Sequence, residues 1–239
     1  MSLSQEPIPV KDRLIVALDV PSHAEAKRLV ETLDDAVTFY KIGLELFMAG
    51  DYFDLIEWLT ARDKKIFADL KFYDIPATVE RAVRALSRHP VTFATVHGDR
   101  AIMEAAARGR EGDLKILAVT VLTSMDEKAL EDLGYQGDLQ ALVLKRTRQA
   151  LDAGLDGVIA SGLEAGLIRE AIGAAPLIVT PGVRPEGSAS QDQKRVVTVA
   201  QAFVNGSDHI VVGRPIRNAA DPRAAAYAIQ RQIATLFGE

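Results

Sequence analysis

Cysteine is absent from this chain of 239 residues. That excludes disulfides, thiolate metal sites and a cysteine nucleophile. Histidine is scarce. The four present, His23, His89, His97 and His209, include no pair at metal-ligand spacing, so no metal is expected. His97 reads as structural rather than catalytic, and the other three as surface or turn residues. Long apolar runs are missing, and none approaches the ~20 residues of a membrane span. The opening MSLSQEPIPVKDR has no apolar segment of the secretory kind, which makes the cytoplasm the expected compartment. Basic charge is not in excess. With a net charge of −5, no broad surface for nucleic acid or anionic lipid is implied. Neither G-x-G-x-x-G after the first strand nor G-x-x-x-x-G-K-[ST] occurs, so the usual mark of a doubly wound nucleotide-binding sheet is lacking.

What is present is apolar and alternating. Hydrophobic residues make up 48% of the chain, enough for one large core. Eight short β-branched runs recur: LIVAL at 14–18, TFYKI at 38–42, KIFADLK at 65–71, TFATVH at 92–97, KILAVTVL at 115–122, GVIAS at 157–161, LIVTP at 177–181 and HIVVG at 209–213. Near-continuous apolar character suits strands covered on both faces. The intervening segments read as helices. Ser22 is placed to cap 23–33, with Glu25 completing a capping box, and Pro76 suits the first turn of a helix through about 87. Asp138, Ser161 and Asp221 can cap helices at 139–153, 162–172 and 222–237. Eight strand–helix repeats with right-handed crossovers predict a (β/α)8 TIM barrel, an α/β fold. One domain over 1–239 is expected, with 1–12 as an N-terminal extension. The run KRTRQ at 145–149 reads as a solvated helix face, and GLEAG at 162–166 as helix packing.

In such a barrel the chemistry belongs at the C-terminal strand ends. Polar residues collect there: Asp19, Lys41, Asp69 and Lys71, His97, then Thr123 and Ser124. In FADLKFYDIP, alternation puts Asp69 and Lys71 on one face and Leu70 on the other. Lys41 on the adjacent strand can join them. Opposite charges this close favour the charged form of each, and a held ammonium is a proton donor to a developing carbanion. The same charges could instead close the barrel end as an ion-pair network. After strands seven and eight come TPGVRPEG at 180–187 and VVGRPI at 211–216. Gly182 and Gly213 allow close backbone approach, Pro215 can open a short helix, and Arg184 and Arg214 can hold an anion such as phosphate. GSASQDQKR at 187–195 has the composition of a lid.

LIVALDVP, FYKIGLELF, DLKFYDIPAT, VLTSM, TPGVRP, DQKR and VVGRPI, in this order, resemble the orotidine 5′-phosphate decarboxylase family of the bacterial type, over roughly 13–235. The resemblance implies cofactor-independent conversion of orotidine 5′-monophosphate to uridine 5′-monophosphate and CO2. It implies that Asp19 and Lys41 hold the ribose, Asp69 lies against the substrate carboxylate, and Lys71 protonates C6. Thr123 and Ser124 would contact the pyrimidine, while Arg184, Gln193, Gly213 and Arg214 hold the phosphate, Gln193 from the lid. It also implies a homodimer in which Asp74 and Thr78 reach the neighbouring subunit's site. TVHGDRA at 95–101 departs from the pattern of many relatives. Two alternatives stay open: a sibling sugar-phosphate lyase, whose family resembles this one but places an acid for Mg²⁺ where Lys41 stands, and a non-catalytic nucleotide-binding barrel.

Overall fold

The computed structural model describes residues 3–4, 6–135, 137–184 and 197–238. Among them eight parallel strands close into a barrel in chain order: β1 Leu14–Ala17, β2 Phe39–Gly43, β3 Lys65–Phe72, β4 Phe93–His97, β5 Lys115–Val119, β6 Gly157–Ile159, β7 Leu177–Pro181 and β8 His209–Val212. β1 pairs with both β2 and β8, which closes the ring. The expected (β/α)8 barrel is the observed one.

Each strand buries both faces, and that explains its unbroken apolar run. Ile15 and Ala17, Phe39, Phe67, Phe93, Leu117 and Val119 fill the barrel interior. Their chain neighbours Leu14, Val16, Tyr40, Ile66 and Ala68 pack outward against the helices. Side chains alternate along a strand. Counting in twos from the interior residues therefore brings Lys41 (from Phe39), Asp69 (from Phe67) and Thr95 (from Phe93) onto the inward face at the C-terminal mouth.

The helix starts follow local chemistry. Ser22, Asp138, Ser161 and Asp221 each accept a main-chain N–H one turn in, opening His23–Leu33, Leu139–Asp152, Gly162–Ile172 and Pro222–Phe237. The reciprocal capping box forms at Ser161 with Glu164. At Ser22 the bond found is the one from the Glu25 main-chain N–H to Oγ, at 3.3 Å.

Two expectations fail at the level of burial. KRTRQ is not a solvated face throughout, because Arg146 and Thr147 are buried. Arg146 donates to the Thr120 carbonyl and, at 2.8 Å, to the Tyr135 hydroxyl. These acceptors let the guanidinium leave water. His209 is not a surface residue either, being 3% exposed inside the lower barrel. It stacks edge-on against Phe39 and Phe93 and shares a 2.8 Å hydrogen bond with the Asp12 carbonyl.

Candidate active site

A cavity of about 520 Å³ opens at the C-terminal mouth of the barrel, within the range of small-molecule sites. Asp19, Lys41, Asp69 and Lys71 line one part of it. Lys41 Nζ lies 2.8 Å from Asp19 Oδ1 and 3.5 Å from Asp69 Oδ2, and Lys71 Nζ lies 2.8 Å from Asp69 Oδ1. The four charges predicted at neighbouring strand ends thus form one continuous chain, Asp19–Lys41–Asp69–Lys71.

Burial taxes these groups unequally. It pushes the Lys41 ammonium down, but the carboxylates of Asp69 and then Asp19 outweigh it, and the net shift is upward. For Asp69, burial pushes the carboxyl up, while Lys41 and then Lys71 pull it further down, to a net lowering. Each charge is tolerable because the next one is present. Gly43 leaves room for this contact, since a Cβ there would stand 3.3 Å from Lys41 Nζ and 3.6 Å from the Asp69 carbonyl.

Lys71 reaches the site by a route that alternation does not describe. Ala68 is paired with Ala94 and Phe72 with Val96, so β3 carries extra residues against β4 between those pairs. Within this bulge Lys71 adopts a left-handed backbone, φ +48°. A non-glycine residue in that region costs about 1–2 kcal/mol. Bulges re-aim side chains beside active sites, and here the ammonium comes to rest on Asp69. Leu70 packs outward as expected.

Thr95, which is not among the predicted site residues, supports the bulge. Its side chain is fully buried. Its Oγ1 accepts the Lys71 main-chain N–H at 3.0 Å and donates to Asp69 Oδ1 at 2.9 Å. The signal was available: within TFATVH, Thr95 stands two residues after inward-facing Phe93, the count that placed Asp69.

The other lining residues come from later strand ends. Thr123 and Ser124 line the cavity, as do Gly182, Arg184, Gly213 and Arg214. Gly182 takes φ +79°, a left-handed value that a side chain would strain and that turns β7 sharply into Val183 and Arg184. Pro215 lies in the first turn of the short helix Arg214–Arg217, as expected. Arg217, which was not singled out, lines the same cavity. Gln193 and the lid segment 187–195 lie outside the described residues.

Asp74 and Thr78 are not brought to this cavity. Asp74 is exposed, and its Oδ1 accepts the Ile75 main-chain N–H at 2.6 Å. Thr78 receives a 3.3 Å bond from Arg81. His97 lies against Tyr73, ring centroids 4.4 Å apart, and its buried Nδ1 has no hydrogen-bond partner among the described residues. Burial, then the charge of Arg146, lowers its pKa, so it is suited to packing as the neutral ring.

Residues 12–229 match the family model described as Orotidine 5′-phosphate decarboxylase / HUMPS family. The chain is 64% identical over 236 residues to the orotidine 5′-phosphate decarboxylase of Methylococcus capsulatus, covering 98% of this chain and 97% of that one. It is 53% identical over 236 residues to that of Stenotrophomonas maltophilia, covering 98% of each. The crystal structure of orotidine 5′-phosphate decarboxylase from Lactobacillus acidophilus superposes with a TM-score of 0.82 at 36% identity, covering 93% of this chain and 99% of that one.

Proposed function

The chain belongs to the orotidine 5′-phosphate decarboxylase / HUMPS family, and from that premise we propose that it removes CO2 from orotidine 5′-monophosphate, giving uridine 5′-monophosphate in pyrimidine biosynthesis, with Lys71 as proton donor and without metal or organic cofactor. The enzyme class follows from relatives that share up to 64% of their residues over nearly the full length. The observation that carries the residue roles is the Asp19–Lys41–Asp69–Lys71 chain facing one cavity with the Gly182–Arg184 and Gly213–Arg214 turns.

The chemistry follows from that arrangement. The bond from C6 to the carboxylate breaks, and its electron pair stays on C6. No adjacent carbonyl delocalises that charge directly, so it must be stabilised in place. Lys71 Nζ stands beside the forming anion, transfers a proton to C6 and is reprotonated from solvent. Asp69 fixes the ammonium and faces the departing carboxylate. Repulsion between two unit charges ~4 Å apart is about 4 kcal/mol at an effective dielectric near 20. Enzymes lower barriers by roughly 8–23 kcal/mol. Repulsion is therefore a minor contributor, and stabilisation of the carbanion with phosphate binding energy is the major one.

Asp19 and Lys41 take the ribose hydroxyls, and Thr123 and Ser124 the pyrimidine. Arg184, Gly213 and Arg214 take the phosphate, with Gln193 joining from the lid. Lys41 also bears on the choice of reaction. Its ammonium fills the space between Asp19 and Asp69 where a shared cation would sit, which argues against the Mg²⁺-dependent sibling chemistry.

The molecule is proposed to work in the cytoplasm as a homodimer, each subunit lending Asp74 and Thr78 to its neighbour. Tyr73 and Ile75, on either side of Asp74, are 65% and 66% exposed. Such apolar flanks suit a covered interface. Among the described residues no helix is long and apolar enough to cross a membrane.

The direct test is to add orotidine 5′-monophosphate in EDTA and follow the ultraviolet spectrum toward that of uridine 5′-monophosphate. No spectral change would sink the reaction. Turnover that needs a divalent metal would favour the sibling lyase, and ligand binding without turnover the non-catalytic barrel.

A further inference from the structure

We propose that Arg217 is an additional phosphate-binding residue, a reserve guanidinium that engages the nucleotide's phosphate alongside Arg184 and Arg214; the role rests on the reading of the cavity given above. Arg217 closes the helix Arg214–Arg217 that follows β8, and it lines the cavity together with Gly213 and Arg214. Side chains three residues apart on a helix are neighbours, so the two arginines approach the cavity from one turn.

The hydrogen bonding of Arg217 is incomplete. Its Nη1 is buried from solvent and has no partner among the described residues. Its Nε makes a long contact of 3.4 Å with Asn218 Oδ1. It forms no ion pair among the described residues. Both carboxylates of the lining are engaged elsewhere, Asp19 by Lys41 and Asp69 by Lys41 and Lys71. A guanidinium with a desolvated nitrogen, and with another guanidinium on the same turn, lacks an acceptor that the described residues do not supply.

A phosphate dianion supplies what is missing. It presents several oxygens and matches the fork geometry of arginine. The lining as a whole favours it. Among the described residues that line it, Lys41, Lys71, Arg184, Arg214 and Arg217 are cationic and only Asp19 and Asp69 anionic. This concentration of positive charge sits in a chain of net charge −5, so the field of the cavity opposes that of the rest of the molecule and draws an anion inward.

The test compares calorimetric binding of uridine 5′-monophosphate and of uridine to wild type, Arg217→Gln and Arg217→Lys. Arg217→Gln is expected to weaken the nucleotide about 10-fold, or roughly 1.4 kcal/mol, while leaving uridine within about twofold. Arg217→Lys should recover part of the loss, and inorganic phosphate should compete less well against Arg217→Gln than against wild type. In turnover kcat/KM for orotidine 5′-monophosphate should fall by a similar factor. Equal losses for nucleotide and nucleoside would make Arg217 a structural residue and overturn the proposal, as would no loss for either. Binding does not require turnover. A wild type that binds the nucleotide but leaves orotidine 5′-monophosphate unchanged would refute the reaction and not this role.

Discussion

Thr95 Oγ1 holds the main-chain N–H of Lys71 at 3.0 Å, and so fixes the left-handed residue that carries the proposed proton donor. The same hydroxyl spends its own proton on Asp69 Oδ1 at 2.9 Å. One buried side chain thereby sets the backbone of one member of the charge chain and the carboxylate of another.

Thr95→Val keeps the shape and removes both bonds. It leaves a buried N–H without its acceptor, at a cost of about 1–3 kcal/mol in stability. The looser Lys71 should lower kcat on the order of 10- to 100-fold with little change in KM. Thr95→Ser, which keeps the hydroxyl, should restore most of kcat. A Val variant that melts earlier yet turns over at the wild-type rate would reduce Thr95 to a packing role.

Lys71→Ala removes the donor and leaves Lys41 and Thr95 on Asp69. The Asp69 carboxyl should then rise from its lowered pKa, because one of the two cations that hold it down is gone. Turnover is expected to fall at least about 100-fold, while uridine 5′-monophosphate still binds. Single-turnover assays and product titration separate the two. Near-normal turnover would remove Lys71 from the chemistry.

The barrel was legible because strand and helix periods differ and each was written plainly, with caps such as Ser161 and Asp221 at the joins. The site was legible where charge stood in an apolar run, as at Asp69 and Lys41. Three features hid. The bulge at Lys71 breaks the alternation expected of a strand, and no glycine marks it. Thr95 and Arg217 lie inside motifs already assigned to a strand and to a turn, so they drew no separate notice. His209 was misread because a polar residue at a strand start resembles a turn, whereas the Asp12 carbonyl and the rings of Phe39 and Phe93 let it be buried.

His209 makes stability depend on pH. Burial pushes its imidazole from 6.5 down to about 4, against the opposing hydrogen bond to the Asp12 carbonyl. Above pH 6.5 both the folded and unfolded states carry it neutral, so it has no effect on the balance. Below 6.5 the unfolded chain takes up the proton that the folded one refuses, and stability falls until about pH 4. At about 1.4 kcal/mol per pH unit the full loss is roughly 3 kcal/mol. Asp69 acts in a different window: its pKa is lowered, so its contribution holds above the ordinary 3.8 and is lost as pH falls through the lower folded value. Urea titrations from pH 7 to 4 should show a slope in wild type that His209→Gln flattens. An unchanged slope would mean that other groups govern this range.

The placement of Asp74 gives the sharpest test of the assembly. In the folded chain it does not line the cavity that Lys71 and Asp69 line, and among the described residues its carboxylate accepts only the adjacent Ile75 N–H. If it serves the partner's site, Lys71→Ala and Asp74→Asn should each be inactive as pure proteins and regain activity when mixed. In a hybrid dimer one site carries both lesions and the other neither. Random exchange at equal amounts makes half of the dimers hybrid, and the expected recovery is about one quarter of wild-type activity. Tagged subunits captured together establish that exchange has taken place. Proven hybrids without recovery would mean that Asp74 acts within its own chain, through a rearrangement of the Tyr73–Ile75 loop toward the cavity.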